Sequence, residues 1–232
     1  MAGARHRAGP PLSFAHQKCA PHRIGLLGGS FNPAHAAHRA ISLFALKALA
    51  LDEVWWLVSP GNPLKASASD MAPLRTRCAS ACALSKRARI RETAIEQRLG
   101  TRYTIDTIAA LQRRYPKEKF IWLMGADNLK SFHLWAEWRV IASMLPIAVI
   151  SRPGYSAGVR WSPAALWLRR FVRSADQVKR WTNWSPPALV HVRYPPDPTS
   201  ATAMRRLRPD WHLAPPPPLL RDALTHRLIR EV

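Results

Sequence analysis

A chain of 232 residues with 47% hydrophobic content is long and apolar enough to bury a real core, which excludes wholesale disorder. No apolar run approaches the ~18 residues that cross a bilayer, so neither a transmembrane protein nor a membrane partner is expected. The net charge of +21 favours anionic ligands, but its arginines are scattered without a basic block or a recognisable nucleic-acid motif, so nucleic acid is not the expected partner.

Residues 1–21 carry Arg, His and Pro, no acidic residue, and no apolar centre of the kind a secretory signal needs; they read as a disordered extension ahead of a single domain over 22–232. "RIGLLG" is the first buried strand. Behind the glycine turn, Ile41, Phe44, Ala45 and Ala48 recur at helical spacing, and "EVWWLVSP" (53–60) is a second strand, which together make a βαβ unit. A helix over 73–84 places Leu74, Cys78, Ala81 and Cys82 on one side. "RIRETAIEQ" reads as a strand plus a turn closed by Gly100. "YTIDTIAALQRRYP" is a helix with Thr104 as N-cap, Asp106 near its positive end, and Arg113 and Arg114 before Pro116. "FIWLMGAD" is another buried strand ending at Gly125. "NLKSFHLWAEWRVIASML" reads as one helix with Phe132, Trp135 and Trp138 at three-residue spacing, and "PIAVISRPG" as a strand closed by Pro-Gly. Residues 155–187 are rich in Trp and basic residues, with a helix around "PAALWLRRFV". "ALVHVRYP" is a strand, Ser200 and Thr202 precede a helix, and after the proline spacer "LAPPPPLL" the chain closes on an amphipathic helix, "LRDALTHRLIREV". This alternation predicts an α/β doubly wound parallel sheet.

Three cysteines, Cys19, Cys78 and Cys82, are too few for a disulfide framework. No neighbouring Cys or His completes a zinc set around Cys78 and Cys82, so they read as reduced core thiols of a cytoplasmic protein.

Ligands of open α/β sheets sit beyond the carboxyl ends of the strands, and four unusual clusters fall there: "GGSFNPAHAAH", "SPGNPLK", "GADN" and "TSATAMR". Gly28 and Gly29 lack a Cβ, which permits positive φ and lets main-chain N–H groups approach an anion. The helix start that follows adds unpaired N–H groups and partial positive charge. His35 and His38, at i and i+3, would share one face there and could donate to phosphate oxygens. Lys65 could reach a polyphosphate from its loop, and Arg205 lies at a helix start suited to terminal phosphate oxygens. On spacing alone Trp135 and Trp138 read equally well as core.

"GGSFNPAHAAH" resembles the G-G-[ST]-F-[ND]-P-x-H-x-G-H signature of the nucleotidylyltransferase superfamily. "YTIDT", "MGADNLKSFHLWAEW", "VISRPG" and "TSATAMR" resemble, in order and spacing, the further motifs of bacterial nicotinate-nucleotide adenylyltransferase. The likeness covers roughly 23–155 and resumes at 188–206. It implies a Rossmann-like nucleotidylyltransferase fold and the reaction of ATP with nicotinate mononucleotide (NaMN) to give deamido-NAD and pyrophosphate. It also implies Mg²⁺ bound mainly through substrate phosphates, with no all-protein metal site. By the same resemblance Gly28, Gly29, Ser30 and Phe31 would hug the nucleotides, and His35 and His38 would contact the ATP phosphates. Lys65 and Arg205 would neutralise the triphosphate, with Ser200 supporting that end. Tyr103, Thr104, Asp127 and Asn128 would border NaMN, and Trp135 would stack on its pyridine. Ala37 replaces the family's glycine before the second histidine, and its methyl is expected to crowd ATP. The sequence also admits a homo-oligomer, a related enzyme using nicotinamide mononucleotide or phosphopantetheine, and a catalytically impaired homologue that binds nucleotide or RNA.

Overall fold

The computed structural model describes residues 21–61, 71–151, 158–194 and 201–231, with the backbone alone over 201–203. Six strands form one sheet: β1 (Arg23–Gly29), β2 (Glu53–Val58), β3 (Ile90–Thr93), β4 (Lys119–Gly125), β5 (Ile147–Ser151) and β6 (Leu189–Arg193). Every pairing is parallel, in the order β3-β2-β1-β4-β5-β6. This is the doubly wound, Rossmann-like arrangement. The chain winds outwards from β1 to β3, returns to place β4 against the other side of β1, and winds outwards again. That reversal opens a crevice between the carboxyl ends of β1 and β4, the usual ligand position in such sheets.

The strands read as nearly unbroken apolar runs because both faces are covered. Leu27, Val58, Ile121, Leu123 and Ile150 point to one core with residues of α1 (Ala36–Ala48) and α2 (Leu74–Ser85). Leu26, Trp55, Trp122, Met124 and Val149 point to the other, with α4 (Thr104–Arg114), α5 (Ala126–Ser131), α6 (Trp138–Met144) and α7 (Pro163–Leu168). Cys78 is wholly buried and burial pushes its thiol up to about 12, so it is an inert core group. Cys82 is only half-buried; burial, with Glu92 beside it, raises its thiol too.

Four local expectations need correction. First, the expected single helix over 128–145 is broken: α5 is followed by a 3-10 turn (Phe132–Leu134), Glu137 is left-handed at φ 49°, and α6 begins afterwards. Aromatic packing outweighs helix propensity there. Phe132 meets Trp135 and Trp138 edge-on at 5.3 and 5.8 Å, and the break frees Trp135 to stand perpendicular to Trp122 at 6.0 Å. Second, the N-cap of α4 is Tyr103, not Thr104, although Asp106, Arg113 and Arg114 fall at the expected ends. Third, between β3 and Gly100 lies a short helix, α3 (Ile95–Leu99), which Gly100 closes at φ 65°.

The fourth is the closing amphipathic helix, which does not form. Residues 219–231 fold instead as turns with one bridge, Arg221 to Leu228. The cause is Asp222: its carboxylate accepts from the backbone N–H of Leu224 (3.0 Å) and Thr225 (2.7 Å), a local bond that competes with helix formation. The other carboxylate oxygen takes Thr93 Oγ1 (2.8 Å) and Ala94 N (2.7 Å), tying the tail to the end of β3. Ala223 N bonds Glu92 O at 3.2 Å, and Glu231 Oε1 accepts from Leu74 N at 2.7 Å at the start of α2. The tail thus covers the exposed edge of the sheet.

Candidate active site

The two expected glycines are the last residues of β1 and neither has positive φ; in the turn that follows, the left-handed residue is Phe31, at φ 47°. Gly28 is required for a different reason: a Cβ there would lie 2.9 Å from Cη2 of Trp122, a rigid indole wedged between neighbours. At Gly29 a Cβ would meet only the Phe31 ring, at an ordinary 3.4 Å. Phe31, 2% exposed, stacks on Trp56 at 5.2 Å, which fixes the turn from below.

His35 is the N-cap of α1 and is buried; His38, one turn on, is half-buried. Their rings are 3.8 Å apart, and His38 leans on Phe31 at 4.7 Å. The main-chain N–H of His35 donates to Nδ1 of His38 at 3.1 Å, and His38 N–H donates to the His35 carbonyl at 2.9 Å. A ring nitrogen that accepts a hydrogen bond bears no proton, so a neutral His38 carries its proton on Nε2. Sequence spacing put both imidazoles on one face; the structure adds the tautomer.

Sequence reasoning missed the residue that holds this turn to its neighbours. Arg77, on α2 and 1% exposed, donates to four carbonyls: Nη1 to Ser30 O and Ser59 O, both at 2.7 Å, Nε to Ala72 O at 2.8 Å, and Nη2 to Pro60 O at 3.2 Å. One planar guanidinium therefore rivets the loop after β1 to the loop after β2. Burial lowers its pKa from the ordinary arginine value. Its only sequence signal is a basic residue next to Cys78 on an otherwise apolar helix side, and Arg75 looks the same. Asn32, 4% exposed, adds a further tie by accepting from Ala72 N at 3.1 Å.

The far end of the chain joins the same loop. Arg205, on α8 (Ala201–Leu207), donates through Nη1 to the Asn32 carbonyl at 2.7 Å, bringing its end of α8 onto the histidine turn. Lys65 and Ser200 lie outside the described residues.

Beyond β4 the backbone turns at Gly125, where a Cβ would run into the Asp127 carboxylate. Asp127 is exposed, Asn128 half-buried, and both sit in the first turn of α5; Trp135 is half-buried. Tyr103, 43% exposed, and half-buried Thr104 open α4. The start of α4 is anchored at the carboxyl edge of the sheet by Glu96 of α3, whose carboxyl accepts from Thr107 Oγ1 at 3.2 Å and neighbours Ser59 at the end of β2. Burial is the dominant influence on Glu96 and raises its pKa from 4.5 to about 7, against the smaller opposing effects of Thr107 and Ser59.

A buried carboxyl with a raised pKa holds its proton more tightly in the folded state. Its contribution to stability is therefore complete below about 4.5 and is lost as pH rises to about 7. Urea melts across this range should show wild type losing stability relative to Glu96→Gln; parallel profiles would contradict the assignment.

The sequence of residues 26–207 matches the model of the cytidylyltransferase-like family. A protein of Erythrobacter litoralis named "Probable nicotinate-nucleotide adenylyltransferase" is 58% identical over 89% of this chain and 94% of its own length. One of the same name from Parvibaculum lavamentivorans is 49% identical over 82% of this chain and 94% of its own. The chain belongs to the nicotinate-nucleotide adenylyltransferase family. Among solved structures, Plasmodium falciparum nicotinic acid mononucleotide adenylyltransferase complexed with APC superposes with a TM-score of 0.55 at 14% identity, over 80% of this chain and 83% of that one. The same enzyme complexed with NaAD gives 0.54. At that identity the likeness shows a shared fold. As a member of the family this protein is a nucleotidyltransferase.

Against the family signature, Ala37 loses its expected effect. It is 0% exposed, so its methyl packs into the protein interior instead of crowding the cleft. Among the described residues no three His, Cys, Asp or Glu side chains gather as a metal site.

Proposed function

We propose that the protein transfers AMP from ATP to nicotinate mononucleotide, giving deamido-NAD and pyrophosphate. The observation that carries this reading is the bond from Arg205 to the Asn32 carbonyl. It brings α8 to the histidine turn, which supports a reading in which guanidinium and imidazoles serve one crevice at the switch point of the sheet. The acceptor follows from the family and from the relatives' names. A catalytically impaired scaffold finds no support at Ala37.

The phosphate of NaMN is already an anion near neutral pH and attacks the α-phosphorus without prior removal of a proton. The protein's work is alignment and charge neutralisation. His38, with its proton directed to Nε2 by the bond at Nδ1, donates to phosphate oxygens as charge builds. His35, Arg205 and, from the loop after β2, Lys65 bind and neutralise the triphosphate, with Ser200 at the Arg205 end. Gly28, Gly29, Ser30 and Phe31 line the path of the nucleotides. Tyr103, Thr104, Asp127 and Asn128 border NaMN, and Trp135, braced edge-on by Trp122 and Phe132, offers its face to the pyridine. Imidazole and guanidinium without paired carboxylates are a donor set suited to Mg²⁺ carried on substrate phosphates, where the metal supplies further neutralisation.

Two measurements test this reading. Turnover with ATP should be fastest with NaMN, slower with nicotinamide mononucleotide and absent with phosphopantetheine; a preference for either of the others would reassign the acceptor. Trp135→Ala should raise the Kd for NaMN about tenfold, the scale of one lost stacking contact, and leave ATP binding intact. Equal losses for both ligands in calorimetry would remove Trp135 from the pyridine site.

A further inference from the structure

Glu96 is a buried titratable group to which the proposed chemistry gives no role, yet it stands between the two halves of the site. On one side its carboxyl accepts from Thr107 Oγ1, in the first turn of α4. The same Thr107 hydroxyl lies 2.9 Å from Thr101 Oγ1 and 3.3 Å from the Tyr103 carbonyl. Thr101 N in turn donates to the Glu96 carbonyl at 3.1 Å, so the whole turn from Gly100 to Tyr103 is tied to this one residue. On the other side lies Ser59, whose hydroxyl donates to the Gly61 carbonyl at 2.6 Å and whose own carbonyl is held by Arg77 at 2.7 Å. Ser59 also hydrogen-bonds the Glu96 carboxyl, and like the Thr107 contact this favours the charged form against the upward push of burial.

We propose that Glu96 is a positioning residue whose carboxyl bridges Ser59, at the start of the loop after β2, to Thr107, in the first turn of α4, and thereby sets the NaMN side of the crevice relative to the ATP side. The inference rests on the reading of the site as an adenylyltransferase cleft. A carboxyl suits the task because it meets both hydroxyls at once: Oε1 accepts from Thr107 Oγ1, and Ser59 hydrogen-bonds the same group. The charged or titratable groups on the surrounding elements are Arg98 on α3, Asp106, Arg113 and Arg114 on α4 with Tyr103 at its cap, Glu53 on β2, and Arg77 behind the Ser59 carbonyl; none of them is among the influences on the Glu96 carboxyl. Glutamine carries one donor and one acceptor at the same reach and should replace it; alanine carries neither.

The test compares wild type, Glu96→Gln and Glu96→Ala by two independent readouts. In the first, hydrogen exchange is followed without substrate at the amides of Ser59 and Gly61 and of 101–107. Exchange in both segments should rise together, about tenfold, in Glu96→Ala and return to the wild-type rate in Glu96→Gln. In the second, the Kd values for NaMN and for an unreactive ATP analogue are measured by calorimetry. Glu96→Ala should weaken NaMN about tenfold and ATP less than twofold, with Glu96→Gln within twofold of wild type for both.

Unchanged exchange in a folded Glu96→Ala, exchange rising in only one segment, or a glutamine variant as loose as alanine each overturns the bridge. A uniform fall in stability with both Kd values unchanged reduces Glu96 to a structural residue and overturns the positioning role. A wild-type protein that binds neither nucleotide counts against the proposed function, and the exchange comparison still decides the bridge.

Discussion

His38→Ala is expected to lower kcat by about 10² or more, the loss typical of one preorganised donor at a developing charge. The size follows from how rigidly the imidazole is held. Nδ1 accepts from His35 N–H at 3.1 Å, the ring leans on Phe31 at 4.7 Å, and Phe31 itself is stacked on Trp56 at 5.2 Å. A donor fixed in this way needs no reorganisation as charge accumulates, which is where its advantage over water lies. His38→Asn gives the sharper version of the experiment. Its side-chain oxygen can still accept from His35 N–H and preserve the turn, but the distal donor is gone, so the turnover loss should match that of alanine with the fold intact. Rapid-quench measurement of the chemical step in both variants checks this. Wild-type turnover in folded His38→Asn would show that the Nε2 proton has no part in catalysis.

The second large effect belongs to Arg77. Arg77→Met keeps the apolar stem but abandons four carbonyls at once. Bonds to a charged donor contribute about 1.5–3 kcal/mol each when their loss cannot be compensated. Water can reach some of these part-buried oxygens, so the expected loss of stability is about 3 kcal/mol, a large share of the 5–15 kcal/mol typical of a domain. Arg77→Lys should recover little of it, because a single ammonium cannot span the Ser30 and Ser59 carbonyls and the Ala72 carbonyl together. Urea melts give the stability. In the same variants ATP binding should weaken more than the loss of folded protein explains, since both loops proposed to hold the triphosphate are released. A stable Arg77→Met that binds ATP normally would mean that the loops are held by their own backbone.

What the sequence made legible divides along physical lines. The order of strands and helices was readable because strands buried on both faces leave unbroken apolar runs such as "FIWLMG", and because turn residues punctuate them. The histidine turn was readable as chemistry because glycine, asparagine-proline and paired imidazoles are an improbable set for packing alone. The reason for Gly28 was not: its constraint is the indole of Trp122, more than ninety residues away, and no local pattern reports such a contact. Arg77 and Asp222 were hidden for a related cause. Each does its work by satisfying backbone groups of distant segments, and a buried polar residue of that kind resembles any surface charge until the fold is known. The tail over 219–231 misled in the opposite sense, since helical periodicity was present but the Asp222 carboxylate captured the N–H groups a helix would have used.

The most direct measurement is a single turnover with ATP labelled at the α-phosphate, NaMN and Mg²⁺. The label should appear in deamido-NAD with one unlabelled pyrophosphate released per turnover, and omission of NaMN or of the metal should stop both. Label recovered as AMP or ADP, or none transferred by folded protein, would contradict adenylyl transfer in this crevice.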